Sequence, residues 1–112
     1  MIKIKICGLS RPEDIEYVNK VRPDYVGFVF ANSKRQVSTG QAKELINRLH
    51  EDIKTVGVFV NEDIELVHRI SKTLSLNVLQ FHGNENRQYI DTFKAFEVWK
   101  SVGINVNFPI LF

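Results

Sequence analysis

Lys3-Ile4-Lys5-Ile6-Cys7-Gly8-Leu9-Ser10 stands at the head of the chain, and its phase decides how the rest is read. Ile2, Ile4 and Ile6 alternate with Lys3, Lys5 and Cys7, the period of a β-strand with one apolar face and one reactive face. Ser10-Arg11-Pro12-Glu13 follows and predicts a helix start, with Ser10 as N-cap, proline in the first turn and Glu13 at the capping-box position. The only cysteine of the chain therefore falls where a strand gives way to a helix. That is the place where α/β folds put their chemistry.

Working outward, the same strand-then-helix unit recurs. Residues 24–30 form a mostly apolar run, as expected of a strand buried on both faces. Ser38-Thr39-Gly40-Gln41 repeats the capping-box pattern and leads into Ala42, Leu45, Ile46 and Leu49 at helical spacing. A third strand is expected over 54–60, with Asn61 capping a helix whose Ile64, Val67, Ile70 and Leu74 face inward. A fourth is expected over 77–81, Gly83-Asn84 turns into a helix carrying Tyr89, Ile90 and Phe93, and a fifth strand covers 97–102. Serial βα units of this length give a parallel sheet with right-handed crossovers. Two architectures satisfy the pattern: an open doubly wound sheet, which 112 residues can complete, and part of an eight-stranded barrel, which needs ~200 residues or more. Phe108-Pro109-Ile110-Leu111-Phe112 reads as the start of a further strand, but the few residues before it are too short for a parallel crossover.

Composition narrows the function classes. Hydrophobic residues make up 44% and charged residues 25% of the chain, as in an ordinary globular domain. The net charge of +2 is spread along the sequence, with no basic stripe to suggest nucleic acid as a partner. Lys3 and Lys5 interrupt the only apolar stretch near the start, so no secretory signal is expected. No apolar run of ~18 residues predicts a membrane span. A single cysteine fits a reducing, cytoplasmic setting.

Several residues are candidates for chemistry. A lone cysteine in a strand is most often a small buried hydrophobe, but Cys7 shares its face with Lys5 and Lys3, and a helix start lies just beyond. Both neighbours favour a thiolate able to take a proton. Arg35, in the loop after the second strand, offers a guanidinium fork to a carboxylate or phosphate, although a solvated basic loop has the same composition. Gln80 and His82 bracket Phe81 and share one face of the fourth strand. Cys7, Arg35, Asn61, Gln80 and His82 all fall at or after the C-terminal ends of successive strands, which in a parallel array form one rim. His50, His68 and His82 lack metal-ligand spacing, and no phosphate-binding glycine loop occurs.

Lys5-Ile6-Cys7-Gly8-Leu9-Ser10, Val26-Gly27-Phe28-Val29-Phe30 followed by Ser33-Lys34-Arg35, Val56-Gly57-Val58-Phe59-Val60-Asn61 and Val78-Leu79-Gln80-Phe81-His82-Gly83 together resemble phosphoribosylanthranilate isomerase, in that family's order and spacing. Trp99-Lys100-Ser101-Val102 looks like its fifth strand. The resemblance implies an α/β fold of TIM-barrel type, with residues 1–112 as a partial domain of about five of eight βα units. It implies an isomerase of tryptophan biosynthesis that converts N-(5-phosphoribosyl)anthranilate, a small phosphosugar, by an Amadori rearrangement without cofactor or metal. It makes Cys7 the general base and Arg35 the residue that holds the anthranilate part. Lys5, Gln80 and His82 match polar positions lining the pocket, with Asn61 on the same rim.

The family's general acid is an aspartate ending strand six, and its phosphate site lies in loops after strands seven and eight; the sequence stops before either. The 112 residues are therefore expected to be inactive alone, and an incomplete barrel exposes edges on its first and fifth strands that invite self-association. Phe81 stands where the family more usually has leucine. Two other readings compete. A half-barrel remnant would bind a second copy without catalysis. A receiver-type signalling module would want acidic residues where Cys7-Gly8 stand.

Overall fold

The computed structural model describes residues 2–101. Within them β1 (Lys5–Cys7), α1 (Pro12–Val21), β2 (Tyr25–Val29), α2 (Thr39–Asn47), β3 (Lys54–Phe59), α3 (Ile64–Leu74), β4 (Val78–Phe81), α4 (Arg87–Asp91) and β5 (Glu97–Lys100) alternate along the chain. The expected strand-like segment 108–112 and the Val102 end of the fifth strand lie outside the described residues.

Sheet order decides between the two architectures. The five strands pair in sequence order, every pair parallel. A doubly wound sheet would reverse its order at a switch point and carry helices on both faces. Here the helices cover one face only. Ile15 and Val18 of α1, Ala42 and Leu45 of α2, and Val67 and Ile70 of α3 belong to a single apolar cluster with the outward-facing strand residues. The other face carries a separate cluster of Tyr25, Val56, Val58 and Val78, against which Cys7, Val29 and Trp99 pack.

The sheet is also rolled. Lys5 on β1 hydrogen-bonds Gln80 on β4, and the rings of Tyr25 on β2 and Trp99 on β5 meet edge to face at 4.9 Å. Strands three places apart in a flat sheet would stand roughly 14 Å apart. These contacts close only across a concave inner face, so the described residues form the first part of a barrel wall.

Outside the wall, Phe81 is fully buried, with its ring 6.2 Å from Phe59, 5.3 Å from Tyr89 and 5.2 Å from Phe93. The phenyl ring at this position thus reaches across to α4 and the turn after it.

Helix starts follow the sequence pattern to within a residue or two. Ser38 caps α2 as expected: its Oγ accepts the Gln41 N–H at 3.1 Å and Gln41 Oε1 accepts the Ser38 N–H at 2.9 Å. The start of α1 is shifted. Arg11, not Ser10, is the N-cap, and Asp14 rather than Glu13 reaches back to the N–H groups of Ser10 (3.0 Å) and Arg11 (3.1 Å). α3 is capped by Asp63, whose carboxylate accepts the Leu66 N–H, and not by Asn61. The isoleucine face of the first strand is corrected too. Ile6 packs against the helix-side core, but Ile2 and Ile4 are 89% and 55% exposed, because among the described residues no helix covers them.

Candidate active site

The register of β1 and β2 sets Cys7 opposite Gly27. A Cβ on Gly27 would stand 2.8 Å from the Cys7 Sγ and 3.0 Å from the Lys5 Cε, closer than atoms can pack without displacement. The absence of a side chain there lets the two reactive groups of β1 lie together over the second strand. The chain then leaves the strand through Gly8, whose φ of +86° is left-handed backbone and suits glycine. The N–H groups of Gly8 and Leu9 both donate to the Gly27 carbonyl, at 2.9 and 3.2 Å.

Cys7, Lys5, Gln80 and His82 line one hollow of about 390 Å³, with Asn32 and Ser33 from the loop after β2 on its side. Val29 and Val58 give it an apolar wall. The Lys5 ammonium donates to Gln80 Oε1 and lies 5.8 Å from the centre of the Trp99 ring, in cation–π range. Burial lowers the pKa of Lys5 below the usual lysine value, and its Coulombic and hydrogen-bonding interaction with Cys7 opposes that shift in part. Gln80 is 3% exposed and uses its other end to donate to Ser101 Oγ at 2.9 Å. His82 is exposed at the mouth, with its backbone N–H on the Phe59 carbonyl at 2.9 Å.

Arg35 and Asn61 stand apart from this hollow. The Arg35 side chain lies along Gly8, with Nη1 donating to the Gly8 carbonyl at 3.5 Å. It borders a neighbouring depression shared with Cys7, Arg11 and Tyr17. Asn61 adopts a left-handed φ of +49°. Its Oδ1 accepts the Asn84 N–H at 2.7 Å, and its own N–H donates to Glu85 Oε2 at 2.7 Å. In the described structure its side chain ties two loops of the rim together. The roomier depression beside it, about 490 Å³ between the starts of α3 and α4, lacks a nucleophile or base comparable to Cys7, and its buried carboxylate is already paired. The smaller hollow at Cys7 is the better site.

Three residues of this rim do not announce themselves in the sequence. Trp99 and Ser101 sit two apart in the inward phase of β5, as Gln80 and His82 do on β4, and that alternation is the one signal that could have found them. Glu85 gives no such signal. Its side chain is fully buried and accepts from Lys100 Nζ at 2.8 Å, from the Gly83 N–H at 2.9 Å and from the Asn61 N–H. Burial alone would raise its carboxyl pKa; the Lys100 hydrogen bond and the backbone N–H groups outweigh it and hold the group below the ordinary range.

A thiol, an ammonium and an imidazole around a half-enclosed hollow at the C-terminal ends of parallel strands suit proton transfer on a small polar substrate. Among the described residues no group of three His, Cys, Asp or Glu is placed to hold a metal ion, and no helix is long and apolar enough to cross a membrane.

Comparison with known proteins bears on what such a site acts on. The family model described as N-(5'-phosphoribosyl)anthranilate (PRA) isomerase matches residues 4–109. An N-(5'-phosphoribosyl)anthranilate isomerase of a Thermoanaerobacter species is 62% identical over 104 residues, covering 93% of this chain and 51% of the relative. The solved phosphoribosyl anthranilate isomerase of Thermotoga maritima superposes with a TM-score of 0.88 at 35% identity, over 93% of this chain and 52% of that one. A phosphoribosyl anthranilate isomerase solved in complex with reduced 1-(o-carboxyphenylamino)-1-deoxyribulose 5-phosphate gives 0.88 at 34% identity, over 94% and 55%. The chain spans about half the length of the curated relatives it matches.

Proposed function

Because the chain belongs to the N-(5'-phosphoribosyl)anthranilate isomerase family, we propose that its residues supply the base side of an Amadori rearrangement of N-(5-phosphoribosyl)anthranilate. In that reaction an acid protonates the ring oxygen of the sugar and opens it to a Schiff base. A base then removes the proton from C2. The C–H electron pair moves into the C1–C2 bond, the C1–N π pair returns to nitrogen, and the enolamine tautomerises to the ketose. Cys7 is the base. Its sulfur faces the hollow from the end of β1, with the Lys5 ammonium beside it to stabilise the thiolate.

Arg35 takes the carboxylate of the anthranilate part. Its guanidinium lies across Gly8 from Cys7 and has one described hydrogen bond, a long one to a carbonyl, so a bidentate pair with a carboxylate remains open to it. His82 and Asn32 close the mouth around the sugar. The acid and the grip on the phosphate belong to strands six to eight of the family's barrel, outside the described residues.

The observation that carries this reading is the convergence of Cys7, Lys5, Gln80 and His82 on one hollow at the strand ends. Cys7→Ala in the complete isomerase is expected to lower turnover by roughly 10²–10⁴-fold with KM little changed. Arg35→Ala is expected mainly to raise KM, since it removes a contact made in ground and transition states alike. Steady-state kinetics with the phosphoribosyl substrate test both. Near-normal turnover without the thiol rejects Cys7 as the base, and an unchanged KM without the guanidinium rejects the clamp.

A further inference from the structure

A buried amide on an inner face whose apolar cluster is built of valine and aromatic side chains calls for a physical reason. Taking such a group out of water costs about 1–3 kcal/mol unless its hydrogen bonds are replaced. Gln80 replaces them at both ends: its Oε1 accepts from the Lys5 ammonium on β1 and its Nε2 donates to Ser101 Oγ, just beyond β5. With both ends of its amide engaged inside the protein, Gln80 is poorly placed to be a substrate contact. The ammonium it holds has three donors. One goes to Gln80, and the charge lies over the Trp99 ring. Lys5 and Cys7 converge on the same point above Gly27, so a small swing of the long lysine side chain would carry its charge away from the sulfur.

We propose that Gln80 is a positioning residue that acts on Cys7 through Lys5: anchored by Ser101, it pins the ammonium so that its charge and one of its protons stay on the sulfur. The inference rests on the reading of Cys7 as the base. It differs from that reading in giving Gln80 a role in the state of the thiol and none in holding the substrate. Among the described residues the titratable groups that face this interior or its rim, besides Cys7 itself, are Lys3 and Lys5 from the first strand and the residues before it, Tyr25 from β2, Lys54 from β3, His82 from β4 and Glu97 from β5, with Arg35 beside Gly8 and the paired Glu85 and Lys100 on the rim. Lys54 and Glu97 stand at the N-terminal ends of their strands, away from Cys7. Among the described residues Lys5 is the cation whose side chain converges with the Cys7 sulfur above Gly27.

Iodoacetamide alkylation of Cys7, measured on the whole expressed protein by quantifying the Cys7 peptide by mass spectrometry across a pH series, tests this without the isomerase assay. Gln80→Met keeps the length and removes both hydrogen bonds. It is expected to slow alkylation at neutral pH by up to about tenfold, as the released ammonium swings away from the thiol, with the same plateau rate in alkali. Lys5→Met should slow it at least as much, and Gln80→Met should add nothing in a Lys5→Met background. Ser101→Ala, which leaves the amide half-held, should give a smaller slowing of the same kind, and it carries the test if circular dichroism shows that Gln80→Met does not fold.

An unchanged alkylation profile in the variant that folds overturns the proposal. So does a slowing by Gln80→Met that persists in full without Lys5, and so does a raised KM for the phosphoribosyl substrate with an unaltered thiol profile. Failure of the base assignment looks different: near-normal turnover in Cys7→Ala beside the expected alkylation profiles removes the isomerase role of Cys7 and leaves the positioning of Lys5 by Gln80 standing.

Discussion

At the scale of single residues, the site depends on one missing side chain. Gly27 lies opposite Cys7 in the parallel register, and the space a Cβ would need there is held by the Cys7 sulfur and the Lys5 stem. Gly27→Ala has to push both aside. Forcing a methyl into a packed interior costs roughly 1–3 kcal/mol, and here the displaced groups are the reactive ones. The variant should melt at a lower temperature and should alkylate Cys7 at an altered rate at neutral pH. Calorimetry and the thiol assay check the two halves of that statement separately, and a variant indistinguishable from wild type in both would mean that the pair relaxes without consequence. The phase of β1 made the neighbourhood of Cys7 and Lys5 legible in the sequence. The glycine that admits them was not legible as such, because its role depends on strand register, which one sequence does not display.

At the scale of elements, the rim is tied by a buried carboxylate paired with an exposed lysine. Glu85, in the loop before α4, holds Lys100 at the end of β5, the Gly83 N–H after β4 and the Asn61 N–H after β3. Three strand ends are thereby fixed to one carboxylate. The carboxyl pKa lies below its ordinary 4.5 in the folded protein. Its contribution to stability is therefore fully present above about that value and is lost as the pH falls through the depressed folded one. The urea midpoint should drop with acidification below that range. Asp14, whose burial is outweighed by its hydrogen bonds from Arg11 and Ser10, shifts the same way, so Glu85→Gln should make the drop shallower without abolishing it. At neutral pH the substitution is expected to cost on the order of 1–3 kcal/mol, and a Glu85→Gln protein with the wild-type acid slope and midpoint would show that the tie contributes nothing.

Local patterning explains what could be read of these elements. The capping box of α2 lies within four consecutive residues, and its reading from the sequence matches the structure. The partners of Asn61 and Glu85 are other loops, so Asn61 looked like the cap of α3 while its side chain in fact takes the Asn84 N–H. At the start of α1, Glu13 and Asp14 are adjacent candidates to reach back to the cap, and Asp14 prevails because its carboxylate reaches two backbone N–H groups and the Arg11 guanidinium together.

At the scale of the whole molecule, the decisive property is curvature, which periodicity leaves open. The alternation of strand and helix is common to an open sheet and a barrel; the sequential strand order, and the contacts of β1 and β2 with β4 and β5 across the inner face, distinguish them. A rolled wall of five strands has consequences for the 112-residue polypeptide taken by itself. Among the described residues β1 pairs only with β2, and β5 only with β4. Among the described residues the outer edges of both present N–H and C=O groups without a strand partner, and beside the first edge Ile2 and Ile4 are exposed. In a complete barrel those edges meet the remaining strands. The polypeptide 1–112 purified alone should therefore elute from size-exclusion chromatography as a species larger than a monomer, and Ile4→Lys, which puts a charge beside the open edge, should reduce that association. It should also fail to turn over the phosphoribosyl substrate, since Cys7 supplies only the base side of the proposed reaction. Adding a polypeptide that carries the second half of a related isomerase should compete with self-association by pairing the same edges, so oligomer size should fall as activity rises. A monodisperse, active monomer of the 112 residues would reject this account of the edges and would show that the base side alone suffices for the rearrangement.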